Sequence, residues 1–258
     1  MLLEYSCENF KSIKDKITFS MLASKDSTFE NLLTSFGEIQ INRIASIYGA
    51  NGSGKTSFID SLNFLCNLVC NSNNHQPGDK IFQPVHKLSN MQSPTNYTIQ
   101  FVKNDIRYAY GLSYTSENIV SEYLYYFPNG KQARIFERNK DELVFGDKFR
   151  KDFESILNFS KPNKLFLSVS ANYSSVCEAE IVFLFFKEDL VFYPIPLGVN
   201  NWLEYSIETM TNEPKIKSMF IRFMNSIGSP IENLNTKYEK AQITPELIPD
   251  NMPAPIKA

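Results

Sequence analysis

The pattern of apolar and polar residues predicts a β-rich start to the chain. Residues 2–9 and 17–21 ("ITFSM") alternate between apolar and polar side chains, which predicts two strands joined by the turn "KSIKDK". Residues 24–42 are mixed and predict a loop. The run "RIASIY" at 43–48 predicts a short strand that ends at Gly49.

A helix is predicted directly after the glycine-rich stretch that follows this strand. Apolar residues recur at helical spacing over its length, namely Phe58, Leu62, Leu65, Cys66 and Val69. The polar stretch "NSNNHQPGDK" at 71–80 then predicts a surface loop. The order is therefore strand, glycine loop, helix.

Short runs rich in aromatic and β-branched residues fill the chain from 97 to about 145, separated by turn-like "KND", "TSEN" and "PNG". This texture predicts an antiparallel meander of four or five strands. One predicted strand contains Tyr123, Tyr125, Tyr126 and Phe127, and a thin sheet cannot bury both of its faces. We expect one face to be core, and the exposed remainder is a candidate docking surface.

Helices are predicted to dominate the rest of the chain. The expected elements are helices at 147–159, 174–186 and 213–227 and a strand "KLFLSVS" at 164–170. The final 30 residues, 229–258, hold five of the 13 prolines and are predicted to be a linker or a truncated end. The predicted domain covers 1–228 and has three parts: a lobe at 1–96 that contains the glycine-rich stretch, an antiparallel sheet at 97–146 and a helical segment at 147–228.

Composition supports a folded protein of the reducing cytoplasm. Hydrophobic residues make up 43% of the chain, enough for a sizeable core. The net charge of −2 gives no indication of nucleic-acid binding. No apolar run is long enough to span a bilayer, and the opening residues do not predict export. The four cysteines, which make a poor zinc site and are better explained as free thiols, are Cys7, Cys66, Cys70 and Cys177.

The stretch "GANGSGKT" at 49–56 fits the phosphate-loop pattern G-x-x-x-x-G-K-[ST] at every position. In this pattern Lys55 reaches the β- and γ-phosphates, the Thr56 hydroxyl ligates Mg²⁺, and Ser57 is placed for the α-phosphate. Lys55 is thus the candidate catalytic residue, with ATP and Mg²⁺ as cofactors. The candidate nucleotide-binding residues are Gly49, Ala50, Asn51, Gly52, Ser53, Gly54, Lys55, Thr56 and Ser57.

The loop "YGANGSGKTSFIDSLNFL" and the opening "ENFKSI" resemble the ATPase head shared by ABC transporters, SMC and RecF proteins and OLD-type ATPases. With "RYAYGLSY", "IVSEYLYYF" and "NKLFLSVSAN", the chain resembles bacterial AAA-type ATPases of the RloC/OLD-like and abortive-infection group. The resemblance implies an α/β fold with an ABC-head-like P-loop NTPase core, an antiparallel meander and a helical segment. It also implies self-association through ATP-sandwiched heads, a nuclease or toxin partner in anti-phage defence, and a basic residue near the nucleotide, here Lys11.

Heads of this kind need an apolar strand that ends in Asp-Glu, and only "IVFLFFKEDLVF" comes close. Lys187 interrupts it, Glu188 precedes Asp189, and a helix through 174–187 explains the same letters. The ten glycines include no adjacent pair, so the glycine-rich signature loop of these heads is missing too. We therefore expect the catalytic acid to lie outside this chain, unless the head binds nucleotide without hydrolysing it.

Two other classes are open on the sequence. A DNA-repair head of the SMC or RecF kind usually carries a coiled coil or a basic surface, and neither pattern is present here. A GTPase needs N-K-x-D, whereas "NKDE" at 139–142 has glutamate in the last place and falls in a predicted hairpin turn. His75 and His86 are expected to be surface residues.

Overall fold

A seven-stranded antiparallel sheet organises the first part of the chain in the computed structural model, which describes residues 1–24, 30–90, 92–192, 201–229 and 231–235. Its strands are β1 (Leu2–Glu8), β2 (Ile17–Ser20), β5 (Thr95–Lys103), β6 (Ile106–Tyr114), β7 (Ile119–Phe127), β8 (Ala133–Asn139) and β9 (Glu142–Phe145), in the spatial order β2-β1-β5-β6-β7-β8-β9. A separate hairpin consists of β3 (Leu33–Phe36) and β4 (Ile39–Asn42).

The predicted meander and the predicted opening hairpin are both confirmed, and they form one sheet. The meander runs from β5 to β9, and β1 pairs with β5 with Tyr5 opposite Ile99. Tight turns join the strands, and Asn104 and Asp105 both have positive φ, as the two-residue turns of hairpins require. The "NKDE" stretch is likewise the β8–β9 hairpin turn, as expected.

Aromatic side chains on one face of the sheet form the core. Tyr97 stacks on both Tyr5 and Tyr114, and the Phe101 ring stacks on Phe185 with centroids 3.6 Å apart. Three helices supply the other side of this core: α1 (Lys55–Asn71), α3 (Phe166–Tyr173) and α4 (Cys177–Leu184). Burial of this apolar area is the main force that holds the helices to the sheet.

The helix predictions for α1, for 174–186 and for 213–227 are confirmed in α1, α4 and α6 (Pro214–Ser226). The helix predicted at 147–159 is shorter, because only α2 (Arg150–Glu154) and a 3-10 turn at Leu157–Phe159 form there. Further short turns lie at Glu30–Leu32 and Ser72–Asn74, and a π-helical turn at Phe185–Asp189 follows α4. Among the described helices, none is long and apolar enough to cross a membrane.

Three local predictions are wrong. Residues 43–48 form no strand, and Ile44 and Tyr48 are 73% and 90% exposed, because no described strand lies beside them to accept their backbone bonds. "KLFLSVS" is not a strand: its residues 166–170 form the first part of α3, because a short buried apolar run fits a buried helix equally well. The loop predicted at 24–42 contains the β3–β4 hairpin.

The chain divides into two compact units, residues 1–192 and 193–258. In the second unit, α5 (Asn201–Asn212) and α6 contact each other. Most of the predicted linker at 229–258 lies outside the described residues, which end at 235. The domain boundary after residue 228 therefore stays a prediction.

Candidate nucleotide-binding site

The glycine loop lies at the N-terminus of α1, and its shape depends on glycine. Gly52 and Gly54 have φ of 81° and 96°, and the backbone of any residue with a side chain would be strained at these angles. Gly49 packs closely against Ser53, since an added Cβ would lie 2.5 Å from the Ser53 Oγ and would force that hydroxyl to rotate. The Ser53 N–H closes the turn by donating to the Ala50 carbonyl at 3.2 Å.

The first turn of α1 presents the donors that an anion needs. Gly54 is the N-cap and makes no side-chain capping bond, so the amides of Lys55, Thr56 and Ser57 have no intrahelical acceptor. The positive end of the helix dipole is at the same place. Together these features make the start of α1 suited to phosphate. The Thr56 side chain is exposed there.

Lys55 folds back over the loop. Its ammonium donates to the Gly49 carbonyl at 2.6 Å and to the Ala50 carbonyl at 2.8 Å. Both acceptors belong to the loop itself, so the positive charge is held above the backbone that would wrap the phosphates. Phosphate oxygens would replace these two carbonyls as acceptors when a nucleotide binds.

The β1–β2 turn touches the start of α1, and the sequence pattern identified only part of this contact. The Ser12 hydroxyl donates to the Ser57 hydroxyl at 2.8 Å, and a Cβ on Gly54 would lie 2.9 Å from the Ser12 Oγ. Lys11 lies one residue away, but its ammonium pairs with Asp60 of α1 at 2.6 Å. The position of Lys11 beside a nucleotide therefore stays a prediction, and Ser12 is the residue of this turn that contacts Ser57 at the start of α1.

A groove of about 530 Å³ opens beside the loop. Its apolar wall includes Phe58 and Phe19, whose ring centroids are 5.4 Å apart, and its polar rim includes Lys14 and Asp15. Tyr48 lines the groove as the residue before Gly49. This volume is within the usual range for small-molecule sites. No sequence pattern predicted the groove, since its walls come from two distant stretches of chain.

The candidate acids Glu188 and Asp189 are not at this site, and the helix expected through this stretch forms in place of a strand that ends in acids. They lie in the π-helical turn after α4, where Asp189 pairs with Lys103 at 2.9 Å. The neighbouring Lys187 lies near Cys70, where burial raises the pKa of the thiol and the Lys187 charge acts in the opposite direction. Cys70 is near the far end of α1. With a rise of 1.5 Å per residue, that end is about 22 Å from the loop.

The histidines and cysteines that were considered as candidates make contacts within the fold. His75 Nδ1 contacts the Asn163 carbonyl at 2.9 Å, and His86 Nδ1 accepts from the Leu88 N–H at 3.2 Å. Burial raises the pKa of the Cys66 thiol to about 12, which favours an inert thiol. Within the described ranges, no cluster of three or more His, Cys, Asp or Glu side chains could hold a metal ion.

Comparison with known families agrees with the position of this loop. A family model described as "AAA domain, putative AbiEii toxin, Type IV TA system" matches residues 44–176, just over half of the chain. The match includes the whole glycine loop, α1 and the meander. No curated protein sequence matches the chain.

Proposed function

The chain belongs to this AAA domain family, and from that premise we propose that it is an ABC-like module in which ATP binding controls a partner effector. Membership makes the chain a P-loop NTPase with a nucleotide-binding ATPase domain. The ABC-like head, the control of an effector and the role in defence are proposals.

The observation that carries the proposal is the glycine loop with Lys55 at the start of α1. The loop amides and the helix N-terminus would hold the phosphates, and the Lys55 ammonium would neutralise the β- and γ-phosphates. The Thr56 hydroxyl would ligate Mg²⁺ together with phosphate oxygens. The metal, when bound, polarises the γ-phosphate and offsets charge that develops on the leaving oxygen.

The groove beside the loop suits the nucleoside. Phe19 and Phe58 offer an apolar wall for the base, while Lys14, Asp15 and Ser12 offer polar groups at the edge. We infer that the base is adenine, since AAA domains are ATPases. Competition of unlabelled ATP and GTP against a labelled ATP analogue checks this, and stronger competition by GTP would contradict it.

Titration of ATP and magnesium into the protein in a calorimeter tests nucleotide binding. We expect saturable heat for the wild type and at least a tenfold loss of affinity for Lys55→Ala, because one ammonium–phosphate contact is a strong charge-assisted bond. Lys80→Ala, an exposed lysine outside the loop, is the matched control and should bind as the wild type does. Equal affinity of Lys55→Ala and the wild type would contradict the assignment.

Hydrolysis needs a carboxylate beside the attacking water. Of the nearby acids, Asp60 is paired with Lys11, and Asp15 is exposed on the rim of the groove. We infer that a carboxylate from outside this chain completes the site. Phosphate release by the purified chain should therefore stay close to background despite ATP binding. Sustained turnover that Lys55→Ala abolishes would contradict this inference.

Control of an effector rests on the family description, which names a putative AbiEii toxin and a type IV toxin–antitoxin system. A plaque assay on cells that carry the natural gene with its neighbours tests the role. We expect the wild-type genes to reduce plaque number and Lys55→Ala to restore it. Equal protection by both forms would separate any defence activity from nucleotide binding.

A further inference from the structure

The outer surface of the sheet carries an aromatic patch that the nucleotide site does not use. We call it the tyrosine face and define it by Tyr123, Tyr125 and Phe127 of β7, Arg107 of β6 and Arg134 of β8. Side chains alternate along a strand, and Leu124, between the two tyrosines, is fully buried in the core. The three aromatic residues therefore point away from the core.

The tyrosine rings of this face lie close to the backbone of the sheet. Tyr123 and Tyr125 have ring centroids 5.2 Å apart with a 40° angle between the planes. The Tyr123 ring lies against Gly111 of the neighbouring strand so closely that no Cβ fits between them. One side of the Tyr123 ring is thus covered by backbone, and both tyrosines are half-buried, with part of each side chain reaching solvent.

Cations surround these rings. The Arg107 guanidinium lies 3.7 Å above the centre of the Phe127 ring, and Lys131 is exposed in the turn between β7 and β8. Arg134 pairs with Glu137 at 3.2 Å, and the Tyr125 hydroxyl donates to the same carboxylate. The Arg134–Glu137 pair is therefore neutral, and Arg107 and Lys131 give this part of the sheet its positive charge, although the whole chain has a net charge of −2.

We propose that the tyrosine face binds single-stranded nucleic acid. Flat aromatic rings on an open sheet stack against unpaired bases without regard to sequence, and neighbouring arginines and lysines contact the phosphates. Paired bases in a duplex do not expose the ring surface that this stacking requires. The charge of the face complements a polyanion, which is why nucleic acid fits it better than an apolar protein surface.

Fluorescence anisotropy with labelled oligothymidylate and oligouridylate of about 20 nucleotides, and with a duplex of equal length, tests the proposal. We expect the wild type to bind at least one single strand about tenfold more tightly than the duplex. Tyr123→Leu keeps an apolar cover on Gly111 but removes the ring, and it should weaken binding about tenfold, as should Tyr125→Ala. Arg134→Ala should reduce the salt dependence of binding.

Two controls isolate stacking from folding. Tyr123→Phe retains the ring, and Val144→Ala changes an exposed residue opposite Glu137 at the end of the same sheet, so both should bind as the wild type does. All variants should keep the wild-type ATP affinity and melting temperature. Lys55→Ala should still bind the oligonucleotide, so this test is separate from that of the nucleotide site.

Three outcomes would overturn the proposal. The first is the absence of saturable binding to either single strand. The second is equal or tighter binding to the duplex. The third is unchanged binding when Tyr123→Leu and Tyr125→Ala are combined in a folded protein. A wild type that binds no oligonucleotide but dissociates from a dimer when the tyrosines are changed would assign the face to a protein interface instead.

Discussion

Thr56 is the residue whose side chain best separates metal binding from phosphate binding. Its hydroxyl is exposed at the first turn of α1, next to the backbone amides that would hold phosphate. We expect Thr56→Ala to lower ATP affinity in magnesium by about tenfold, near the effect of losing one contact of ~1.5 kcal/mol to a charged group. The loss should be smaller in excess EDTA, where no metal needs the hydroxyl.

Calorimetric titrations with and without magnesium measure both affinities. Thr56→Ser keeps the hydroxyl and should behave as the wild type does. Losses of equal size in the two conditions would show that Thr56 acts on the loop rather than on the metal.

Glu122 is a buried carboxyl group with an unusual environment. Burial raises its pKa, although Arg138 nearby and the hydrogen bonds that it accepts act in the opposite direction. A carboxyl group whose folded-state pKa is raised contributes stability below its unfolded pKa, near 4.5, and that contribution is lost as pH rises through the folded-state pKa. The charged form is the one that burial penalises.

Glu122→Gln should therefore gain stability relative to the wild type as pH rises above 4.5, because glutamine stays uncharged. Urea unfolding at several pH values between about 4.5 and 8 measures the difference in free energy of unfolding. Glu117→Gln, at an exposed position in the β6–β7 turn, is the matched control. A difference between Glu122→Gln and wild type that is independent of pH would contradict the direction of the shift.

At the scale of elements, Glu122 also joins α3 to the sheet. Its carboxylate accepts from the Phe166 N–H at 2.6 Å, the Leu167 N–H at 2.9 Å and the Tyr110 hydroxyl at 3.0 Å. These bonds satisfy two backbone donors at the start of α3, where no acceptor exists within the helix. The contact spans more than 40 residues of sequence.

Glu122→Ala should lower the free energy of unfolding by about 3 kcal/mol, because it leaves two buried amides and Arg138 without this partner. Urea unfolding at pH 7 measures the loss, and Glu117→Ala should cost less than about 0.5 kcal/mol. A loss below about 1 kcal/mol would mean that water replaces the carboxylate.

The same contact explains why α3 escaped prediction. A short apolar run fits a buried helix or a buried strand, and local periodicity does not separate them. Glu122 and the Ser72 hydroxyl, which accepts from the Leu165 N–H at 2.6 Å, select the helix from distant parts of the chain. The meander and α1 were predictable because their turns and apolar spacing are local.

The site divides along the same line. The loop at 49–57 could be predicted because its glycines, Lys55 and Thr56 are contiguous and each has a chemical reason for its position. The groove and the Ser12 contact could not, since they depend on a turn about 40 residues earlier. The strand expected at 43–48 failed because propensity indicates which residues favour a strand and does not supply the neighbour that a strand needs.

At the scale of the molecule, the surface around the loop is unusual for a monomer. Residues 43–50 are all exposed, and three of them, Ile44, Ile47 and Tyr48, are large and apolar. Ile47 and Tyr48 also line the groove, so the apolar surface continues into the candidate nucleotide site. Exposed apolar surface beside a ligand site is typical of a region that another protein surface covers.

We therefore expect ATP to favour self-association, as in the proposed ATP-sandwiched pair of heads. Sedimentation velocity should show a larger species with ATP and magnesium than without, because each nucleotide would add contacts between two copies that neither has alone. Ile44→Ser should weaken this association and leave ATP binding by each copy within about threefold, since Ile44 is 73% exposed and does not line the groove. Lys55→Ala should have the sedimentation coefficient of the nucleotide-free protein whether or not ATP is present. A sedimentation coefficient that saturating ATP and magnesium leave unchanged over the measurable range of protein concentration would exclude the pairing while leaving nucleotide binding intact.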